Sequence, residues 1–173
     1  MNIILDALGF NRSHYYIKRP YIVEKISFDN RTFYAKFERI DEELDDTVLT
    51  QHLKKEIVIA APLLEDDYTN LLVLEYKGDE PMRFFHTVKH LFNSMDIKSF
   101  YIFKGKTDRH LQIFIPTPKI TLDQAHEKLE KISNLLAIKL PVEWRTLPSR
   151  NLPEAYNIVT LPYQILELNQ SIK

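Results

Sequence analysis

The sequence predicts an α+β fold: an antiparallel or mixed sheet with helices packed on it. Strand-length runs of alternating or continuous apolar character stand beside two segments with a clear helical period. Proline and a capping signature punctuate these runs where elements must begin or end. With 173 residues, 45% of them hydrophobic and 12% aromatic, the chain can bury the core of one domain without a disulfide or metal staple.

Residues 21–28 and 31–40 alternate in polarity, with Ile22, Ile26, Phe28 and then Phe33, Ala35, Phe37 on the apolar side. Asp29 and Asn30 between them tolerate positive φ, so the pair reads as a two-residue β-hairpin. Residues 41–46 (DEELDD) set five carboxylates at the start of a helix of about 12 residues that ends near Lys54 and Lys55, with a solvated first turn as the ordinary reading. Residues 57–64 form a short apolar segment, and residues 71–76 (LLVLEY) read as a buried central strand. Pro81 opens a helix whose apolar positions Phe84, Phe85, Val88, Leu91, Phe92 and Met95 follow the helical period to about Ile97. Residues 99–103 and 110–115 are two strands, with Pro116 and Pro118 stopping the second. Thr121 and Gln124 make a capping box for a helix with its stripe at Leu122, Ala125, Leu129, Ile132 and Leu136, running to about Leu140. Pro141, Pro148, Pro153 and Pro162 then announce an extended arm over residues 142–163. From Leu71 the order β-α-β-β-α suggests a ferredoxin-like split β-α-β unit. The expected organisation is one domain over 1–173, with a hairpin-helix unit over about 1–70 and the split unit with its arm over about 71–163.

Composition excludes several chemistries. Zero Cys removes disulfide frameworks, thiolate-held metals and thiol nucleophiles, and three Gly leave no room for a Gly-x-Ser-x-Gly elbow. Gly105-Lys106-Thr107 lacks the earlier glycine and the following helix of a phosphate loop, and reads as a hairpin turn. His86 and His90, four apart on the Pro81 helix, have the spacing of two imidazoles on one metal ion, but no third ligand is identifiable. Glu75, Asp79 and Glu143 are the acid/base or cation-binding candidates, placed at a strand end, beyond it and in the arm. The first residues carry no basic leader and no stretch has the length of a membrane span, so the expected compartment is cytoplasmic with no membrane partner.

A net charge of −1 conceals an asymmetry: residues 1–80 carry 10 basic and 16 acidic side chains, residues 81–173 carry 13 and 8. Lys98, Lys104, Lys106, Arg109 and Lys119 alternate with Phe100, Tyr101, Phe103 and Phe114, the composition of a platform for single-stranded nucleic acid or a nucleotide, or else of a core with a basic rim.

The order of motifs resembles the archaeo-eukaryotic primase, or prim-pol, fold. Residues 72–77 (LVLEYK) are similar to its first motif, with Glu75 at the first acidic position and Lys77 at the second. Residues 105–115 (GKTDRHLQIFI) are similar to its second, strict spacing putting Gln112 rather than His110 at the family's His. Residues 143–151 (EWRTLPSRN) are similar to its third, through Glu143, Arg145 and Asn151. The whole chain also resembles an uncharacterised epsilonproteobacterial family of unknown function, through residues 151–157 (NLPEAYN) and 160–163 (TLPY). The prim-pol resemblance implies a cleft lined by Glu75, His110, Glu143, Arg145 and Arg150; the cofactor is left open, a divalent cation being compatible with it. The resulting expectation is a nucleic-acid- or nucleotide-binding domain without full primase activity, using Lys104, Lys106, Arg109, His110, Arg145, Arg150 and Asn151. The alternatives are a metal-dependent nucleotidyl or phosphoryl transferase built on Glu75, Asp79 and Glu143, and a protein–protein adaptor using the acidic segment.

Overall fold

The apolar run around residues 71–76 is too long and too uniformly apolar to leave either face in water, and it forms β6 (Tyr68–Lys77). In the computed structural model, which describes residues 6–169, two cores meet at this strand. Leu72, Leu74 and Tyr76 face one core, Leu71 and Val73 the other. β8 (His110–Thr121) pairs with one edge of β6 and β9 (Trp144–Leu147) with the other. β7 (Phe100–Lys104) and β11 (Gln164–Asn169) complete a five-stranded sheet of order β11-β7-β8-β6-β9, with every pairing antiparallel. The sub-order β7-β8-β6-β9 is that of a ferredoxin-like unit whose fourth strand, β9, comes from the Pro-rich arm.

Two helices cover one face of this sheet. The first begins at Pro81, where a missing N–H costs nothing, and runs over Pro81–Ser94; the second, Leu122–Ala137, starts at the capping box expected of Thr121 and Gln124. Phe84, Phe92, Leu129 and Leu136 from these helices join Leu74, Ile102, Ile113 and Trp144 from the sheet. The other face packs on a four-stranded sheet of order β10-β5-β1-β4, made of Ile158–Thr160 (β10), Ile59–Pro62 (β5), Tyr15–Lys18 (β1) and Phe37–Ile40 (β4). Val73, Phe103, Phe114 and Leu147 meet Tyr15, Ile59, Ala61 and Val159 there, together with Leu49 of a helix labelled α1 (Asp46–Leu53). The helices at Pro81–Ser94 and Leu122–Ala137 are α2 and α3. No helix among the described residues is long and apolar enough to cross a membrane.

The hairpin falls where its turn residues require it: β2 (Glu24–Phe28) pairs with β3 (Arg31–Ala35), and Asp29 and Asn30 have φ of 50° and 59°. Three expectations are corrected. The run expected to continue to residue 40 breaks at Lys36, and its second piece, β4, joins the four-stranded sheet beside β1. α1 has 8 residues rather than about 12, because Arg12 donates through Nε and Nη2 to the Leu44 carbonyl (3.1 and 2.8 Å) and holds residues 41–44 outside the helix; only Asp45 caps it, accepting from Val48 N–H (2.9 Å). β8 passes through Pro116 and Pro118 to Thr121. Its pairing with β7 ends at Phe114, and a strand with a free edge accommodates residues that lack an N–H.

Candidate nucleic-acid interface

In an antiparallel ladder, residues directly opposite each other project from the same face. Glu75 stands opposite Gln112 on β8 and Arg145 on β9, and Lys77 stands opposite His110. The five side chains therefore gather on the face of the larger sheet that looks toward the smaller one. Arg145 donates to Glu75 Oε1 through Nε (3.1 Å) and Nη2 (2.7 Å), and His110 Nε2 lies 3.0 Å from Oε2. Glu75 is 3% exposed. Burial, the largest single influence, opposes ionisation; the His110 hydrogen bond and the Arg145 charge together outweigh it and hold the carboxyl at about 2. An ionised carboxylate only accepts, so the His110 proton sits on Nε2. Gly105 makes this geometry possible: a Cβ there would strike the His110 ring. Gln112 is fully buried, donates from Nε2 to the Thr160 carbonyl (2.7 Å), and leaves Oε1 as an unpaired acceptor.

Arg145 is half exposed, with 54% of its side chain accessible, and lines a cavity of about 250 Å³ with Lys18, Lys36, Tyr34, Phe37 and Tyr156. Ala35, Ala155, Ile158 and Thr160 complete the lining, which contains no carboxylate. The hairpin supplies one wall, docked through Phe33 against the Tyr156 ring (4.9 Å between centroids), and the short helical turn Glu154–Tyr156 supplies another. Asn157 fixes the preceding loop: its side chain accepts from Ser149 N–H (2.7 Å) and donates to the Ser149 and Leu152 carbonyls (2.9 and 3.2 Å).

The residues singled out from sequence separate into distinct places. Glu75, His110 and Arg145 converge. Glu143 lies toward the helices, where its Oε2 accepts from the Tyr76 hydroxyl (3.0 Å); Asp79 lines the same cavity of about 320 Å³ and pairs with Arg109. The carboxylates Glu75, Asp79 and Glu143 thus do not meet. Lys104 ends β7 and Lys106 sits on the turn that leads into His110, Lys104 bonded to Asp108 (3.1 Å) and Lys106 exposed. Arg150 approaches Asp123 (3.5 Å), and the Asn151 N–H bonds Ser149 Oγ (3.2 Å). His86 and His90 are exposed on α2, and the described residues contain no group of three or more His, Asp or Glu arranged to hold a metal ion. Of the two readings of the basic, aromatic stretch, the core one holds: Phe100, Tyr101, Phe103 and Phe114 are 0–3% exposed and belong to the two cores, so no base can stack on them.

A two-metal centre does not fit the residues present. Both Glu75 oxygens are engaged by protonated donors, a lysine occupies the position of the second carboxylate, and Glu143 is bonded on the opposite face. Sequence reasoning missed Lys18, Lys36 and Tyr34, which lie in or beside short strands far from the recognised motifs, and gave no role to Tyr156 within residues 151–157. Only the fold brings them to Arg145.

The model of a domain of unknown function (DUF1882) matches residues 2–69, which include Lys18, Tyr34 and Lys36. The segments 151–157 and 160–163, which carried the resemblance to an uncharacterised family, lie outside that match. No curated protein matches the chain in sequence. Among solved structures, the polymerase domain from Mycobacterium tuberculosis ligase D in complex with DNA is similar, with a TM-score of 0.51, 12% identity, and 94% of this chain and 72% of that chain covered. At that identity the likeness shows a shared fold and nothing about the motifs.

Proposed function

We propose that the protein binds single-stranded nucleic acid or a nucleotide in the cleft between its two sheets, without the catalytic power of a polymerase. The observation that carries this reading is the cavity that presents Lys18, Lys36 and Arg145 beside Tyr34, Phe37 and Tyr156. Cations hold phosphates and rings stack on bases, a combination that tolerates any sequence. The polymerase-like fold of a DNA-bound neighbour supports the same reading. Lys104, Lys106, Arg109, Arg150 and Asn151 line none of this cavity and are the further positions that a strand longer than the cavity would use.

Fluorescence anisotropy with labelled single-stranded DNA and RNA tests it. Binding should appear at low salt, weaken steeply as salt rises, and fall at least about tenfold in Lys18→Ala/Lys36→Ala, with a smaller loss in Lys104→Ala/Lys106→Ala/Arg109→Ala. Absence of binding at low salt, or binding indifferent to both sets of changes, refutes it.

A further inference from the structure

We propose that this cleft is a phosphate site that works without a divalent cation: Arg145, Lys18 and Lys36 take the anion directly, and Glu75 is a positioning residue that aims Arg145. The nucleic-acid identity of the ligand rests on the function proposed above; the anion site itself rests on geometry.

In metal-dependent nucleotidyl transfer, carboxylates on such a face hold cations that in turn hold phosphates. Here the sign is reversed. A cation approaching Glu75 would have to displace Arg145 from Oε1 and His110 from Oε2, on a face that also carries Lys77. A phosphate approaching the same place meets the other side of the Arg145 fork. Nε and one Nη2 proton are turned onto Glu75, and of the five guanidinium donors three remain for a ligand. The grip on Glu75 fixes the plane of the guanidinium before the ligand arrives, so little side-chain freedom is left to lose on binding. Lys18 and Lys36 stand in the same cavity with no carboxylate in its lining.

The charge arithmetic gives a test of opposite sign. If Glu75 held a cation that bridges to phosphate, Glu75→Gln would abolish binding. If Glu75 is the counter-charge of Arg145, the same change removes one negative charge from the site while the Gln carbonyl still accepts from the guanidinium and keeps it aimed, so phosphate binding tightens, by about 5-fold for a unit charge several ångströms away at an intermediate dielectric.

The experiment follows the Arg145 Nε–Hε resonance of isotope-labelled protein, assigned by its loss in Arg145→Lys. Inorganic phosphate, a nucleoside monophosphate and a short single-stranded oligonucleotide are titrated separately, each in EDTA and in Mg²⁺ at matched ionic strength. The expected result is that phosphate and the monophosphate shift the resonance in EDTA with Kd within about 2-fold of that in Mg²⁺, and that Glu75→Gln tightens both. A requirement for Mg²⁺ exceeding about tenfold overturns the proposal, as does a phosphate titration that leaves the resonance unmoved. Phosphate binding without oligonucleotide binding keeps the anion site and removes the nucleic-acid reading; oligonucleotide binding that never reaches Arg145 does the reverse. Should Glu75→Gln not fold, the comparison of EDTA with Mg²⁺ on the unaltered protein decides alone.

Discussion

His52 illustrates how one buried polar side chain can hold three elements together. Its Nδ1 accepts from the Ile59 N–H (3.0 Å), its Nε2 lies 2.9 Å from the Leu161 carbonyl, and its ring stacks on Tyr163. α1, the start of β5 and the end of β10 are thereby joined through a neutral imidazole. Burial, first, and the positive charge of Lys106 lower its pKa from 6.5 against the opposing pull of the Leu161 hydrogen bond. The unfolded chain accordingly takes up a proton that the folded one resists, and the contribution of His52, full above about pH 6.5, is lost as pH falls below it. Urea unfolding should show a lower midpoint at pH 5.5 than at pH 7.5, with a smaller difference in His52→Leu, which itself should cost about 2–4 kcal/mol by stranding two backbone groups. Glu75 titrates in another window. With its pKa lowered to about 2 from 4.5, its contribution is full above pH 4.5 and is lost as pH falls through about 2, so that the acid limb in Glu75→Gln should be flatter. Nothing in the motif around Glu75 announced its pairing with Arg145, 70 positions away. The residue types were legible; their partnership depended on the register of three strands.

At the scale of elements, what could be read from sequence was local chemistry. Asp29 and Asn30 declared a hairpin, Pro81 and the Thr121/Gln124 box declared helix starts, and each stands where its backbone demands require. Thr121→Ala should cost α3 about 1 kcal/mol, seen as a lower melting temperature. Four-residue strands such as β1 and β9 carry too few alternations to be distinguished from loop, and acquire strand character only from partners elsewhere in the chain. β1 went unread for that reason, and the arm's strands were anticipated only as extended chain. The β7–β8 turn is a case where a local signal was present but its meaning was not: Gly105 read as an ordinary turn glycine, whereas it makes room for the His110 ring. Gly105→Ala should displace His110 from Glu75 and lower stability by about 1–3 kcal/mol, with the displacement visible in the His110 ring resonances.

For the molecule as a whole, the opposition between an acidic first part and a basic second part does not survive folding. Lys18 and Lys36 come from the acidic side and join Arg145 from the basic side in one cavity. Each phosphate contact on a single strand contributes about 0.7 to the slope of log K against log salt, so removing both lysines should reduce that slope by about 1.4 if each meets one phosphate. Residues 71–163 expressed alone should not give a cooperatively unfolding protein, because β10 would lack β5 and the sheet-side core would lose Leu49, Ile59 and Ala61; absence of a sigmoidal urea transition is the expected measurement. The pairing of Thr160 with Ala60 has a further consequence in time. During synthesis from the N-terminus, about 100 residues must be added after β5 before its partner can emerge, which at about 5–20 residues per second leaves an unpaired strand edge on the nascent chain for roughly 5–20 s. Over that interval a neighbouring nascent chain could occupy the place of β10, so crowded translation is a hazard set by topology rather than by final stability.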